Sequence, residues 1–328
     1  MSASPLVEPA VTAGGRFRLR WLAALAIIAL LAAPYAVNER FIYHVGVLVC
    51  LGSIGAVSLH LVIRTGHVSL CHAAFVGVGA YVSANVMLKL GLPFVAAFVL
   101  GTAGAALLAL AIGPVILRLT GKYFVLITFL FGEIMRMIFV DWQSMTGGAG
   151  GLDGIPSPSA LFADPKHYYI LALGAAGLCI GLCARILTSE LGRHIDSIRE
   201  NEQLAECAGV PVVRTKVMIF VIAGGMAGFS GSLLAHYSHY ISPEAFNPVI
   251  SLNFMIMNVI GGMTTLIGPL IGTVFVLIIP ELLRSYSNLQ HILFGLILVV
   301  VMAFLPGGIA DFRAGLKFLK KDKTRSGP

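Results

Sequence analysis

The chain has 328 residues, of which 58% are apolar and only 11% charged, and its mean hydropathy is +0.91. Soluble domains carry about a quarter charged residues, so a soluble enzyme is excluded. The net charge of +7 needs no nucleic acid, because Lys- and Arg-rich loops on the cytoplasmic side of a membrane account for it.

The apolar excess runs along the whole length, which predicts an all-α, polytopic helical membrane protein. Its apolar runs are continuous and lack the alternation of barrel strands. In chain order they predict about ten segments: 21–37, 43–63, 68–88, 93–117, 123–141, 167–187, 216–237, 248–261, 266–283 and 289–305. Arg16, Arg18 and Arg20 precede the first, which resembles a signal peptide but is long for one and reads as an uncleaved span. The eighth is short. With the ninth it forms either a pair of spans or a re-entrant hairpin, because Gly261, Gly262, Gly268 and Pro269 interrupt the run. Alternating the loops through ten spans puts most of the 22 Lys and Arg residues on the side of the N-terminus. Both termini are therefore expected in the cytoplasm. The domain reading is a cytoplasmic tail at 1–20, a membrane domain at 21–310 and a basic cytoplasmic tail at 311–328.

Residues 66–81 read GHVSLCHAAFVGVGAY. Gly77 and Gly79 with Ala73, Ala74 and Ala80 let helices approach closely in lipid. Ser69 and His72 either hydrogen-bond within the packing or line a substrate path. Residues 66–73 and 262–269 share a Gly, a hydroxyl residue and a Leu in register, a faint echo of an internal repeat. Glu133 and Arg136 stand three apart within the fifth segment, close enough to pair as a structural clamp or to contact a substrate. The loop 142–166, expected outside the cell, holds TGGAGGLDGIP at 146–156. Gly147, Gly151, Asp153 and Gly154 there read either as tight turns or as a contact for a partner. The loop lacks the Lys of a phosphate-binding loop, and Gly121-Lys122 lacks the Gly five residues earlier, so no Walker A motif is present. Cys179 and Cys183 lie one turn apart, but no His or third Cys completes a metal set among the five cysteines. No metal, cofactor or catalytic group is expected.

The densest charge lies at 188–216. Between Glu190 and Lys216 the chain reads ELGRHIDSIRENEQLAECAGVPVVRTK. Ile195, Ile198, Ala205 and Ala208 recur at helical spacing, which predicts one amphipathic helix over 196–208. Gly192 precedes it, and Gly209 and Pro211 stop it. Its polar face offers Arg199, Glu200, Glu202 and Glu206. This island is either a solvated loop or a docking surface whose small apolar residues fit a partner's groove.

Here the chain resembles a family. Gly192-Arg193, the run 198–202, Ala208-Gly209-Val210, and Lys216 ahead of Ala223 and Ala227-Gly228 are similar to the cytoplasmic coupling segment of branched-chain amino-acid ABC transporter permeases, the LivM-like subunit. Residues 66–81, 146–156 and 261–272 (GGMTTLIGPLIG) are similar to three further motifs of that family, in order, so the resemblance covers roughly 40–310. Cys71 stands where Gly is usual.

The resemblance implies an importer of Leu, Ile and Val across the bacterial inner membrane. It implies a heterodimer with a second permease, two cytoplasmic ATP-binding subunits and a periplasmic amino-acid-binding protein. Gly192, Arg193, Ile198, Arg199, Glu200, Glu202, Ala208 and Gly209 become the ATPase-coupling set. Urea, short amides or other amino acids are alternative cargoes. A stand-alone secondary transporter is the alternative class, with Glu133 as its mid-span carboxylate. An intramembrane hydrolase lacks a paired nucleophile and base.

Overall fold

The computed structural model describes residues 40–283, 289–304 and 307–311. The predicted first span at 21–37 and the two tails, Asp311 apart, lie outside the described residues.

The long helices are α1 (Arg40–Arg64), α2 (His72–Leu90), α3 (Phe94–Ile116) and α4 (Gly121–Asp141). A single turn, α5 (Gln143–Thr146), and a strand, β1 (Leu152–Asp153), lead to α6 (Pro165–Thr188). The helices α7 (Glu190–Glu200) and α8 (Glu202–Cys207) form the charged island. Then come α9 (Val212–Ser238), β2 (Tyr240–Ile241), α10 (Pro248–Gly261), α11 (Ile267–Leu282) and α12 (Gln290–Phe304). The two strands form one small antiparallel pair, Leu152 opposite Ile241, so the helical expectation holds apart from this clip.

Six helices, α1 to α4, α6 and α9, are long and apolar enough to cross a membrane. The expected ten is not reached among the described residues. The helix α10 has 14 residues, about 21 Å at 1.5 Å per residue, against about 30 Å of hydrocarbon. The sequence gives an apolar run there, but Gly262 at φ +111° turns the chain back early. The α10–α11 unit is a short hairpin. Its backbones meet where Gly261 touches Gly268 and Gly272 touches the Met257 carbonyl.

Burial sorts the helices. Most of the span of α1 is buried, whereas α3 and α4 bury 22% of theirs and stand at the rim. On α3 every fourth residue from Ala97 through Gly101, Ala105 and Ala109 to Gly113 is packed. This small stripe meets Gly224 and Gly228 of α9. On its other side α9 meets α2 at Gly79, backbone against backbone. Polar side chains fasten the core. Ser232 Oγ donates to the Gly79 carbonyl at 3.0 Å, and Ser230 Oγ donates to Leu51 at 2.9 Å. Tyr168 OH donates to Leu233 at 2.6 Å. Each of these bonds satisfies a hydroxyl whose burial without a partner would be costly.

Two irregular segments enter the bundle from opposite ends. The segment 65–71 does not turn at the bundle edge. Leu70 N donates to Thr128 Oγ1 at 3.1 Å, and a Cβ on Gly132 would come 3.3 Å from the Leu70 carbonyl. These α4 residues lie roughly 10 to 17 Å along the helix from Gly121, so α2 begins deep inside, at His72 rather than at 68. From the other end, the segment after α9 carries Phe246 to within 6.3 Å of Phe139 and 5.7 Å of Tyr81, ring to ring. The helix α10 then starts at Pro248, also beside Gly132. Ser251 Oγ of α10 accepts from Ala73 N of α2 at 2.8 Å, joining the two helix starts. Irregular backbone at membrane depth survives where protein covers it. Cys71 fits this turn without strain, since its φ is −104° and the glycine opposite, Gly132, leaves room.

The two echoing stretches begin on similar bends. Gly66 (φ +86°) and Gly262 (φ +111°) both turn the chain just after a helix end. Arg64 Nη1 donates to the Thr264 carbonyl at 2.9 Å, bridging the bends.

Candidate functional site

The island is two helices, not the single helix expected over 196–208. Asn201 breaks it, with φ −159° and ψ 109°, and its side chain caps α8 by accepting from Leu204 N at 3.0 Å. Gly192 is inside α7 rather than before it. A Cβ there would strike the Leu187 backbone, so glycine lets α7 fold tightly onto the end of α6.

Of the four stripe residues, Ala208 alone is exposed. Ile195, Ile198 and Ala205 are buried in the chain itself, and Ile198 and Ala205 form a small core with Val212. The hydrophobic effect drives these residues onto the bundle, because it is the nearest apolar surface. Of the predicted coupling set, Ile198 and Gly192 are therefore inward-facing. Arg193, Arg199, Glu200, Glu202, Ala208 and Gly209 are exposed. Leu204 joins them with 67% of its surface open, a residue missed because its neighbours are polar.

Two ion pairs hold the island to the bundle. Arg64, at the end of α1, pairs with Asp196 on α7, and also bonds the Thr264 carbonyl of the α10–α11 turn. Lys216, on α9, pairs with Glu202 of α8 at 2.7 Å, and its side chain is only 3% exposed. Sequence reasoning found Glu202 and Lys216 but not their pairing, and it missed Arg64 and Asp196. Arg64 and Asp196 lie 132 residues apart, which no local pattern reveals.

His67 lies near the Lys216–Glu202 pair, its Nδ1 3.1 Å from the Thr65 carbonyl. Burial, with the Lys216 ammonium nearby, holds it below the ordinary imidazole value of 6.5. The folded chain thus keeps His67 neutral where the unfolded chain is protonated. Stability from this group is full above 6.5 and falls as pH drops through the window below it. His67→Gln is expected to flatten that part of the curve of thermal midpoint against pH in detergent. An unchanged slope would contradict the assignment.

The four substrate-path candidates separate into two groups. Ser69 and His72 are fully buried at the start of α2. Ser69 Oγ lies 3.1 Å from Cys71 Sγ, and His72 stands edge-on to Phe75 with neither ring nitrogen in a hydrogen bond. Glu133 and Arg136 lie on the outer flank of α4, their side chains 30% and 23% exposed. Arg136 Nε donates to Glu133 Oε1 at 2.9 Å, and Nη1 reaches Glu244 at 3.0 Å. The pairing within one helix face is as expected; Glu244 was not anticipated.

The glycine-rich loop is a built turn. Gly147, Gly151 and Gly154 all have positive φ, between +70° and +73°. Thr146 Oγ1 donates to the Phe139 carbonyl at 2.6 Å. His239 Nδ1 lies 2.8 Å from the Ile155 carbonyl and His236 Nδ1 2.9 Å from that of Pro156. Asp153 and Gly154 remain exposed at the tip. Among the described residues no three His, Cys, Asp or Glu groups gather as a metal site.

The model of the family described as branched-chain amino acid transport system / permease component matches residues 41–302. The chain is 26% identical to the high-affinity branched-chain amino acid transport system permease protein LivM of Escherichia coli (strain K12), over 94% of this chain and 79% of the relative. The LivM of Salmonella typhimurium is 27% identical over the same shares. The autoinducer 2 import system permease protein LsrD of Photorhabdus luminescens is 26% identical over 66% of this chain and 67% of its own length. No solved structure matches the chain. A multi-pass helical bundle with this coverage by the family model belongs to the family of permease components of branched-chain amino acid transport systems.

Proposed function

We propose that the chain is one membrane permease of a binding-protein-dependent ABC importer in the bacterial inner membrane, carrying leucine, isoleucine and valine. In this reading both termini and the island face the cytoplasm. Two ATP-binding subunits dock on the exposed side of α7–α8, through Arg193, Arg199, Glu200, Leu204, Ala208 and Gly209. A periplasmic amino-acid-binding protein delivers cargo at the glycine-loop end, where the Asp153–Gly154 tip is open. A second permease completes the membrane part, and ATP is hydrolysed by the partner subunits.

The observation that carries this reading is the pair of ion bridges beneath the island. A polar element whose outer face is open, and whose inner face is tied by Arg64–Asp196 and Lys216–Glu202, transmits a push. Arg64 also grips the α10–α11 turn, so island motion reaches the hairpin that starts beside Gly132. The ATP-bound partners then bias the bundle only by their difference in interaction with its two states.

Arg199→Glu in the assembled transporter, reconstituted in vesicles, tests the reading. The expected result is normal insertion and continuing ATP hydrolysis with uptake lowered at least tenfold. Coupled uptake at the normal rate would sink the docking claim. Glu202→Arg is expected to uncouple as well, since it opposes Lys216. Ligand screening of the binding protein names the cargo. The LsrD relatives carry autoinducer 2 in their name, so autoinducer 2, beside urea, short amides or other amino acids, is the competing outcome. An ion-driven transporter is disfavoured because its one mid-span carboxylate candidate, Glu133, is held by Arg136.

A further inference from the structure

We infer that the flank of α4 bearing Phe129, Glu133, Arg136 and Val140, extended by Glu244, seats a second and different permease chain. This rests on the proposal that the chain is one of a pair of permeases.

The helix α4 has three faces. Phe124, Thr128, Gly132, Met135 and Phe139 pack inward. Leu130, Ile134 and Ile138 form an exposed aliphatic row. At about 100° per residue, the row of Phe129, Glu133, Arg136 and Val140 lies roughly a third of a turn away from that one. The aliphatic row suits lipid. The exposed flanks of α3 and α6 suit it too, with Val99, Leu107, Leu178 and Leu182. The Glu133 row does not suit lipid. Glu133 is about 18 Å along a helix of about 32 Å, well inside the hydrocarbon, and an ionised group facing lipid there costs about 3 kcal/mol even on insertion scales. Glu244, with 72% of its side chain open, enlarges the charged patch. Such a surface requires protein or a protein-walled aqueous path against it.

Its charge says which protein. The patch holds two carboxylates and one guanidinium. Arg136 spends Nε and Nη2 on Glu133 Oε1, and Nη1 on Glu244 Oε1. Two guanidinium N–H groups remain beside the second oxygens of both carboxylates, and the patch keeps a net negative charge. A second copy of this chain would bring the same negative set against it. A different membrane chain that presents Lys, Arg or hydroxyl donors complements it.

Cross-linking in membranes containing the complete transporter tests this. In a Cys207→Ser background, which removes the exposed native cysteine, Phe129→Cys, Val140→Cys and Ile134→Cys are each treated with a short bis-maleimide. Phe129→Cys and Val140→Cys are expected to join a membrane subunit of different sequence, identified by mass spectrometry, and Ile134→Cys is expected to give no product. Joining from Ile134→Cys instead, pairing of two copies of this chain, or no product from either flank position would overturn the inference. In a separate variant, Glu244→Arg is expected to lower recovery of the second permease at least fivefold on co-purification, with this chain still monodisperse. Full recovery would count against the inference. Normal uptake beside cross-links from Ile134→Cys would keep the permease reading and discard this surface.

Discussion

Glu202→Gln is expected to release the island from the bundle, raising hydrogen exchange across 190–216 roughly a hundredfold. The cause is the buried partner. Lys216 keeps 3% of its side chain exposed, and its ammonium sits 2.7 Å from Glu202 Oε1. Neutralising the carboxylate leaves a buried cation without a counter-charge. Breaking a buried pair from one side costs about 3 to 5 kcal/mol. The low end applies, because Glu202 retains 44% exposure and solvent screens part of the pair. About 3 kcal/mol corresponds to the hundredfold change. Lys216→Met together with Glu202→Gln removes both charges and is expected to recover most of the protection. If the single variant exchanges like the parent, the bridge does not anchor the island.

Gly79→Val is expected to abolish the folded bundle, read as loss of the monodisperse peak in detergent. A Cβ on Gly79 would occupy the Gly228 backbone itself, carbonyl and Cα, with no flexible side chain to move aside. Relief requires separating α2 from α9. That breaks the Ser232–Gly79 hydrogen bond and opens the bond of Ser83 Oγ to His236 Nε2, which measures 2.8 Å. Overpacking commonly costs about 1 to 3 kcal/mol where side chains adapt. Here rigid backbone meets rigid backbone, and the cost exceeds that range. Gly177→Ala is the control, since a Cβ there meets nothing within 4 Å. A well-folded Gly79→Val protein would show that these helices do not meet as described.

Much of this was legible in the sequence. Apolar periodicity located nine of the described helices within a few residues, because a span must satisfy its backbone internally and announces itself by composition. The Gly77–Gly79 stretch announced close packing for a similar reason, as small residues let backbones touch. The Glu133–Arg136 pair followed from three-residue spacing alone. The island's charge was equally plain, but its faces were not. Ile195, Ile198 and Ala205 carry the periodicity of a docking stripe and of a stripe buried at home. Only the bundle beside them settles which it is. Asn201 was a second such point: its cap on Leu204 divides a pattern that runs on smoothly in the sequence.

The sequence by itself determined that this chain is a helical membrane permease with one polar island, because composition, spacing and motif order are properties of the linear chain. Tertiary structure decided which groups meet. Arg64 finds Asp196 and the Thr264 carbonyl, Lys216 is buried against Glu202, and Arg136 gains Glu244. It also decided that 65–71 and the stretch before α10 descend to Gly132 rather than turning at the bundle's edge. These contacts join residues far apart along the chain. Their geometry depends on how whole helices stack, and no local pattern of hydropathy or charge encodes that.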